Sequence, residues 1–139
     1  MAMATERDLI ARQYAHGFRE VLDEALPALR ETLNAGWPLE TAIVSSYLRV
    51  LARHPDSLIA RKQGHVRAIE VTRGAAALVD DGWPACEHAW VRLDAFDSWL
   101  RQPANRFNPG TTADLMTAAL YAALRDGTIK CPFESSFSV

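Results

Sequence analysis

The stretch FNPGTTADL, residues 107–115, concentrates turn-forming and polar residues where a loop would run into a helix. Thr111 has the side chain of a helix N-cap. Asp114 follows three residues later, which is the spacing of a capping box with Asp in place of the usual Glu. This interpretation needs no ligand. The same geometry also offers an anion the free backbone N–H groups of a helix N-terminus, with the hydroxyls of Thr111 and Thr112 as further donors.

The carboxylate of Asp114 restricts which anion such a site could bind. A carboxylate repels a bare phosphate, but it can share Mg²⁺ with the oxygens of a polyphosphate, because Mg²⁺ prefers one or two carboxylates together with phosphate oxygens. The functional alternative to the capping box is therefore a site for a Mg-nucleotide or Mg-polyphosphate.

A second stretch, RHPDSLIARKQG at residues 53–64, has a similar composition. Asp56 or Ser57 can cap a helix that begins here, and Arg61 and Lys62 follow within the same helix. These charges could simply pair on a solvated helix face. The alternative is a Mg²⁺-binding carboxylate at Asp56 with phosphate-binding cations nearby.

Composition and charge exclude several other classes of function. The chain has 139 residues and a net charge of −2, so no overall basic field favours nucleic acid or anionic lipid. No apolar run is long enough to span a membrane, and the N-terminus lacks the apolar core of a signal peptide, so we expect a cytoplasmic protein. The two cysteines form no CxxC pair, and the histidines lack HxxxH or HExxH spacing, which argues against zinc.

The apolar periodicity predicts an all-α protein. We expect a single domain over residues 1–139, folded as a compact bundle of about five to six helices, with residues 1–4 and 131–139 as flexible tails. The tryptophans are expected in the core, including Trp90 on the fourth helix, and a lone helical His16 is expected to be non-catalytic. The predicted helices cover 5–34 with an interruption at Pro27, 38–53, 57–81 with a break near Gly64, 86–101 and 111–126.

Taken together, the two polar stretches resemble the C-terminal half of the triphosphoribosyl-dephospho-CoA synthase family. The late family motif has Asn, then Pro-Gly, two small residues and Ala-Asp-Leu before an apolar helix, and residues 108–115 are similar to it. The earlier family motif has Asp followed by Ser or Thr, an apolar stretch, a basic residue and Gly, which residues 56–64 match. About 50 residues of helical sequence separate the two motifs, and the resemblance covers roughly residues 12–128.

The resemblance implies a transferase reaction. ATP gives up adenine while the 2′-hydroxyl of dephospho-CoA attacks C1′ of the ribose, and Mg²⁺ neutralises the triphosphate. Such glycosyl transfer passes through an oxocarbenium-like state that a nearby carboxylate stabilises. Carried onto this sequence, the resemblance implies metal or catalytic roles for Asp56 and Asp114. It implies nucleotide or phosphate contacts for a further set of residues, namely Arg61, Lys62, Asn108, Gly110, Thr111 and Thr112.

The sequence also departs from the family. It contains no Lys-Pro-Gly followed by an Asp-rich segment and no Thr-x-Gly-x-Asn-x-x-Lys-Gly-like stretch, both of which the resemblance places in the family's N-terminal half. We therefore expect the site to be completed by a homo-oligomer or by a separate subunit that supplies that half. The alternative is a non-catalytic helical module that binds nucleotide or protein. An exposed apolar patch would favour an oligomer in either case.

Overall fold

A computed structural model describes residues 21–130 of the chain and the side chains from Asp23 onward. No strand occurs within this range, which confirms the predicted all-α class. The first part of the predicted helix at 5–34, with His16, and the predicted tails at 1–4 and 131–139 lie outside the described residues. The helices are α1 (Leu26–Asn34), α2 (Leu39–Arg53), α3 (Ser57–Gln63), α4 (His65–Asp80), α5 (Glu87–Arg101) and α6 (Gly110–Arg125).

Glycine and proline set most of these boundaries, as the sequence predicts. Near Pro27, the interruption takes the form of a π-helical turn, Val21–Ala25, that leads directly into α1. Pro27 lies in the first turn of α1, a position that tolerates proline better than the helix interior. Gly64 separates α3 from α4 with a φ of 95°, a left-handed value that favours glycine.

The two Gly-Trp-Pro segments have the same backbone role. In the first, the N–H groups of Gly36 and Trp37 donate to the carbonyl groups of Leu33 and Thr32. This pair of bonds is a Schellman motif, and it ends α1. The segment Gly82-Trp83-Pro84 ends α4 in the same way, because its first two N–H groups donate to the carbonyls of Val79 and Leu78.

Helix α2 lies at the centre of the bundle and contacts α1, α4 and α6. Leu48 and Leu51 of α2 pack with Ile59 of α3 and Val71 of α4, and all four side chains are buried. Another face of α2 packs against α6 in two further clusters, whose buried residues include Val50, Leu115, Met116, Ala119, Ala42 and Ala123. This packing brings the N-terminus of α6 to the N-terminus of α3.

Helix α5 lies at the edge of the bundle, and it corrects one prediction. Only Ala89 and Leu100 of this helix are buried, and Trp90 is 39% exposed, so the expectation that Trp90 belongs to the core is wrong. The indole N–H of Trp90 donates to the carbonyl of Pro84 (2.9 Å), and its ring lies against Trp83. An edge helix has fewer neighbours, so part of its apolar face stays open to solvent. Across residues 21–130, no helix has the length and hydropathy needed to cross a bilayer.

Candidate functional site

Asp56 begins α3 as its N-cap residue. Its backbone is extended, and its Oδ1 accepts hydrogen bonds from the N–H groups of Leu58 (2.9 Å) and Ile59 (3.2 Å). These are N–H groups of the first helical turn, which have no partner within the helix. The sequence left Asp56 and Ser57 as alternative caps of this helix, and the structure assigns the cap to Asp56.

The second carboxylate oxygen of Asp56 caps a different helix. Oδ2 accepts hydrogen bonds from the backbone N–H and from the hydroxyl of Thr112, each at 2.8 Å. Thr112 is the third residue of α6, so its N–H is another first-turn donor that needs an external acceptor. Asp56 and Thr112 are both fully buried. One carboxylate therefore satisfies the N-termini of two helices, and the positive ends of both helix dipoles face its charge.

A hydrogen bond between two hydroxyl groups also joins the starts of α3 and α6. The hydroxyls of Ser57 and Thr111 are 2.8 Å apart and hydrogen-bonded, and both residues are buried. We call Asp56, Ser57, Thr111 and Thr112 together the helix junction. The two stretches that the sequence singled out, more than 50 residues apart, thus meet directly through these side chains.

The capping-box interpretation of Thr111 and Asp114 is wrong. Helix α6 begins at Gly110, its N-cap residue is Pro109, and Pro109 makes no side-chain capping bond. Thr111 lies inside the helix, where its hydroxyl bonds to Ser57, and Asp114 is exposed. The physical reason is that Asp56 supplies the capping acceptor from another part of the chain.

Gly110 lies where α6 meets the first turn of α3. A Cβ atom added at this position would lie 2.5 Å from Cδ2 of Leu58, which is closer than non-bonded carbon atoms approach in proteins. The Gly110 N–H donates to the carbonyl of Asn108 at 2.7 Å. Glycine here therefore allows the two helix starts to approach closely.

The remaining predicted site residues are exposed. Arg61 and Lys62 lie in the last turn of α3, and Asn108 precedes α6. Within residues 21–130, neither Arg61 nor Lys62 forms an ion pair with a described partner. Three of the predicted phosphate contacts are thus available to solvent, whereas the hydroxyls of Thr111 and Thr112 already have protein partners.

The two predicted metal ligands differ in their surroundings. Both oxygens of Asp56 accept hydrogen bonds from protein donors and are buried, whereas Asp114 is exposed. No group of three or more His, Cys, Asp or Glu side chains suited to a metal ion occurs in the part of the chain that the structure describes. The metal and catalytic roles of Asp56 and Asp114 stay predictions.

Tyr47 of α2 lies next to the junction and was not singled out by the sequence. Its hydroxyl is 3.5 Å from the carbonyl oxygen of Pro109, at the long limit of a hydrogen bond. Burial raises the pKa of Tyr47 far above its usual value, and the negative charges of Asp56 and Asp97 raise it further. The phenol is therefore held in its neutral form.

This shift predicts a loss of stability at alkaline pH. The unfolded phenol ionises near pH 10.0 and the folded one only at higher pH, so the stabilisation is complete below pH 10.0 and is lost as the pH rises above it. We expect the free energy of unfolding to fall by at most about 1.4 kcal/mol per pH unit in that range. Urea denaturation below and above pH 10.0 should show this fall in the wild type and a smaller one in Tyr47→Phe. The exposed Tyr121→Phe should behave as the wild type, and an equal fall in all three would contradict the assignment.

A pocket of about 650 Å³ opens beside the junction, between α2, α5 and the loop that leads into α6. Sequence reasoning missed it, because its residues come from three separate segments and form no motif. Its apolar lining comprises Val44, Leu48, Leu93, Phe96, Leu100, Phe107 and Pro109. Its polar lining comprises Tyr47, Asp94, Asp97, Arg101 and Asn108.

The loop between α5 and α6 is held at several points, and this fixes one wall of the pocket. The N–H of Phe107 donates to the carbonyl of Leu100 (2.9 Å), and the side chain of Gln63 donates to the carbonyl of Arg106 (3.1 Å). Arg106 has a φ of 47°, in the left-handed region that few non-glycine residues adopt. This turn directs Phe107 into the core and leaves Asn108 at the surface.

Comparison with known protein families decides the family of this chain. The family model of CitG, described as ATP:dephospho-CoA triphosphoribosyl transferase, matches residues 1–132. The chain belongs to the CitG family. This confirms the resemblance that the two polar stretches carry.

Curated relatives of this CitG-family chain carry the corresponding enzyme name. It is 29% identical over 112 residues to a probable 2-(5''-triphosphoribosyl)-3'-dephosphocoenzyme-A synthase of Stutzerimonas stutzeri, covering 80% of this chain and 38% of that protein. It is 30% identical over 102 residues to the synthase of Pectobacterium atrosepticum, covering 73% and 32% respectively. It is 29% identical over 126 residues to a probable synthase of Pseudomonas fluorescens strain Pf0-1, covering 88% of this chain and 43% of that protein. The CitG-family chain thus spans less than half the length of these relatives, and no solved structure matches it.

Proposed function

We propose that this chain forms one part of a triphosphoribosyl transferase, which transfers the triphosphoribosyl group of ATP to dephospho-CoA or a related acceptor and releases adenine. The observation that carries the proposal is the helix junction, because it joins the two family-like motifs through Asp56 and Thr112 at 2.8 Å. The family match and the names of the relatives support this choice of reaction. The site would be completed by a second copy of the chain or by a separate subunit.

In this proposal the residues of the two motifs divide into two roles. Asp56 is a positioning residue: its carboxylate holds the starts of α3 and α6 together and has no free oxygen for a ligand in this arrangement. The exposed residues of the motifs contact substrate. Asn108 and Asp114 lie near the start of α6, and Arg61 and Lys62 bind phosphate oxygens from the end of α3.

Magnesium fits this arrangement as an ion that arrives with the nucleotide. Asp114 is an exposed carboxylate, and Mg²⁺ in nucleotide sites commonly uses one or two carboxylates, with phosphate oxygens and water as the remaining ligands. A dedicated cage of three protein ligands is therefore not needed. When bound, the ion would neutralise charge on the triphosphate. The proposed substrates are cytoplasmic metabolites, and we place the reaction in the cytoplasm.

Thermal denaturation with Mg-ATP tests the proposed site. Ligand at ten times its dissociation constant stabilises the folded state by about 1.4 kcal/mol, which raises the melting temperature by a few degrees. We expect this rise in the wild type and its loss in Asp114→Asn. Asp80→Asn removes an exposed carboxylate at the end of α4 and should keep the rise. No shift with Mg-ATP or dephospho-CoA, alone or together, would refute the nucleotide site.

One structural observation favours a second candidate, a non-catalytic helical interaction module. All oxygens of the Asp56 carboxylate and the hydroxyls of Thr111 and Thr112 have protein partners, so the junction is complete without a ligand. Exposed apolar side chains, among them Val66, Val91 and Tyr121, are available to a partner. The two candidates differ in one measurement. Adenine released from ATP and dephospho-CoA by this chain, mixed with a chain that carries the family's N-terminal half, would exclude the module.

A further inference from the structure

We propose that the pocket between α2, α5 and the loop before α6 binds the purine ring of an adenine nucleotide. The inference rests on the proposed function for the direction of the phosphates, but the binding of the ring rests on the pocket alone. The volume of about 650 Å³ lies within the range of small-molecule sites, which are mostly apolar with a few polar groups.

The walls of the pocket suit a flat aromatic ligand. Phe96 contributes a half-buried aromatic side chain, and Phe107, only 5% exposed, lies in the core beneath it. The ring of Trp99 packs against both, at centroid distances of 6.0 Å and 5.1 Å. Phe96 also lies directly over Gly74 of α4, where a Cβ atom would be 2.4 Å from the Phe96 ring. These contacts fix the ring of Phe96, and a fixed aromatic ring stacks on a purine without a large loss of side-chain entropy.

The charges of the pocket distinguish the base from the phosphates. Asp94 and Asp97 lie at the rim, and only Asp97 has a cationic partner among the described residues, the Nε of Arg101 at 3.0 Å. The Asp94 carboxylate makes no hydrogen bond within residues 21–130. Carboxylates repel a triphosphate but accept hydrogen bonds from an exocyclic amine, so this rim favours the amino edge of adenine.

The position of the pocket agrees with the proposed phosphate contacts. Asn108 and Pro109 line the pocket and directly precede Gly110, the first residue of α6. A nucleotide with its base against Phe96 would leave the pocket beside the motif that carries Asp114. Adenine is present both in ATP and in dephospho-CoA, and the pocket would bind the ring of either. The experiment therefore uses the two compounds as separate probes.

Amide chemical shifts of the full 139-residue chain test the proposal, with adenosine, ATP, dephospho-CoA and inorganic tripolyphosphate as probes in the presence of Mg²⁺. Adenosine should shift the amides of Leu93, Phe96 and Asn108 at millimolar concentrations. ATP or dephospho-CoA, whichever is the source of the ring, should shift the same amides. Tripolyphosphate should leave Leu93 and Phe96 unshifted.

A matched pair of variants on α5 checks the same site. Leu93→Trp fills the pocket and excludes the adenine ring. Adenosine binding should then weaken about tenfold or more, because the stacking of one base, which is lost, typically contributes that much. Val91→Trp adds the same side chain at a 66% exposed position that does not line the pocket, and should leave adenosine binding unchanged. Amide dispersion of each variant shows whether it is folded. The wild-type shift map decides the proposal even where Leu93→Trp does not fold.

The possible outcomes separate this inference from the proposed function. Adenosine that shifts no pocket amide, or that binds Leu93→Trp as well as the wild type, overturns the purine pocket, even where the completed enzyme releases adenine. Adenosine bound in the pocket without any release of adenine by the completed mixture supports the pocket and overturns the transferase.

Discussion

Replacing Asp56 by alanine is expected to lower the free energy of unfolding by about 3–5 kcal/mol, the cost of leaving several buried donors unsatisfied and a large part of the stability of a single domain. The substitution removes the acceptor of four hydrogen bonds, two at the start of α3 and two from Thr112. Hydrogen bonds to a charged acceptor are worth more than neutral ones, and three of the four donors left behind are buried without partners. Urea denaturation followed by circular dichroism measures the loss.

The matched control is Asp114→Ala, which removes the exposed carboxylate of the second motif. The Asp114 side chain makes no hydrogen bond within the described residues, so its replacement should change stability by no more than about 0.5 kcal/mol. Asp56→Asn keeps an oxygen acceptor for one of the two helices, α3 or α6, but places an amide donor against the N–H groups of the other helix. Its stability should lie between that of Asp56→Ala and that of the wild type. Equal stability of Asp56→Ala and Asp114→Ala would show that the junction does not hold the two helices together.

Gly110→Ala is expected to destabilise the protein by about 1–3 kcal/mol, the usual cost of forcing extra atoms into a packed region. The added methyl group would lie 2.5 Å from Cδ2 of Leu58. Alanine is the better helix former, so propensity alone predicts the opposite sign. Chemical denaturation of the single variant therefore separates the steric effect from propensity.

A double-mutant cycle identifies the contact responsible. Leu58 is half-buried, so Leu58→Ala leaves space for the new methyl group. The double variant should be more stable than the sum of the two single effects predicts, because the clash exists only when both side chains are present. Strictly additive effects would place the strain of Gly110→Ala elsewhere.

The helices were predictable from sequence because their signals are local. Apolar periodicity located the helices, and Gly36, Gly64 and Gly82 ended them where left-handed backbone was needed. Burial was less predictable: Trp90 has the same spacing as core residues, but α5 lies at the edge of the bundle and leaves it 39% exposed. Periodicity shows which face of a helix is apolar and not how much of that face a neighbour covers.

The site was predictable in its residues but not in its arrangement. Both motifs were recognised, yet local spacing assigned the capping of α6 to Thr111 and Asp114. The acceptor is Asp56, 56 residues earlier in the chain, and no local pattern reveals a capping group supplied by another helix. The pocket left no sequence signal for the same reason, since its walls meet only after α2 and α5 have packed.

Because α3 and α6 share one carboxylate, the hydrogen-exchange rate of the Thr112 amide reports on the opening of the whole domain. Its N–H is buried and bound to an oxygen 56 residues away, so hydrogen exchange with deuterium requires the two helix starts to separate. During folding, neither start gains its full set of bonds until the intervening loop closes, a non-local event of the kind that slows folding. The exchange rate of this one amide should therefore follow the global opening of the protein, whereas amides of the exposed α5 face exchange through local fraying.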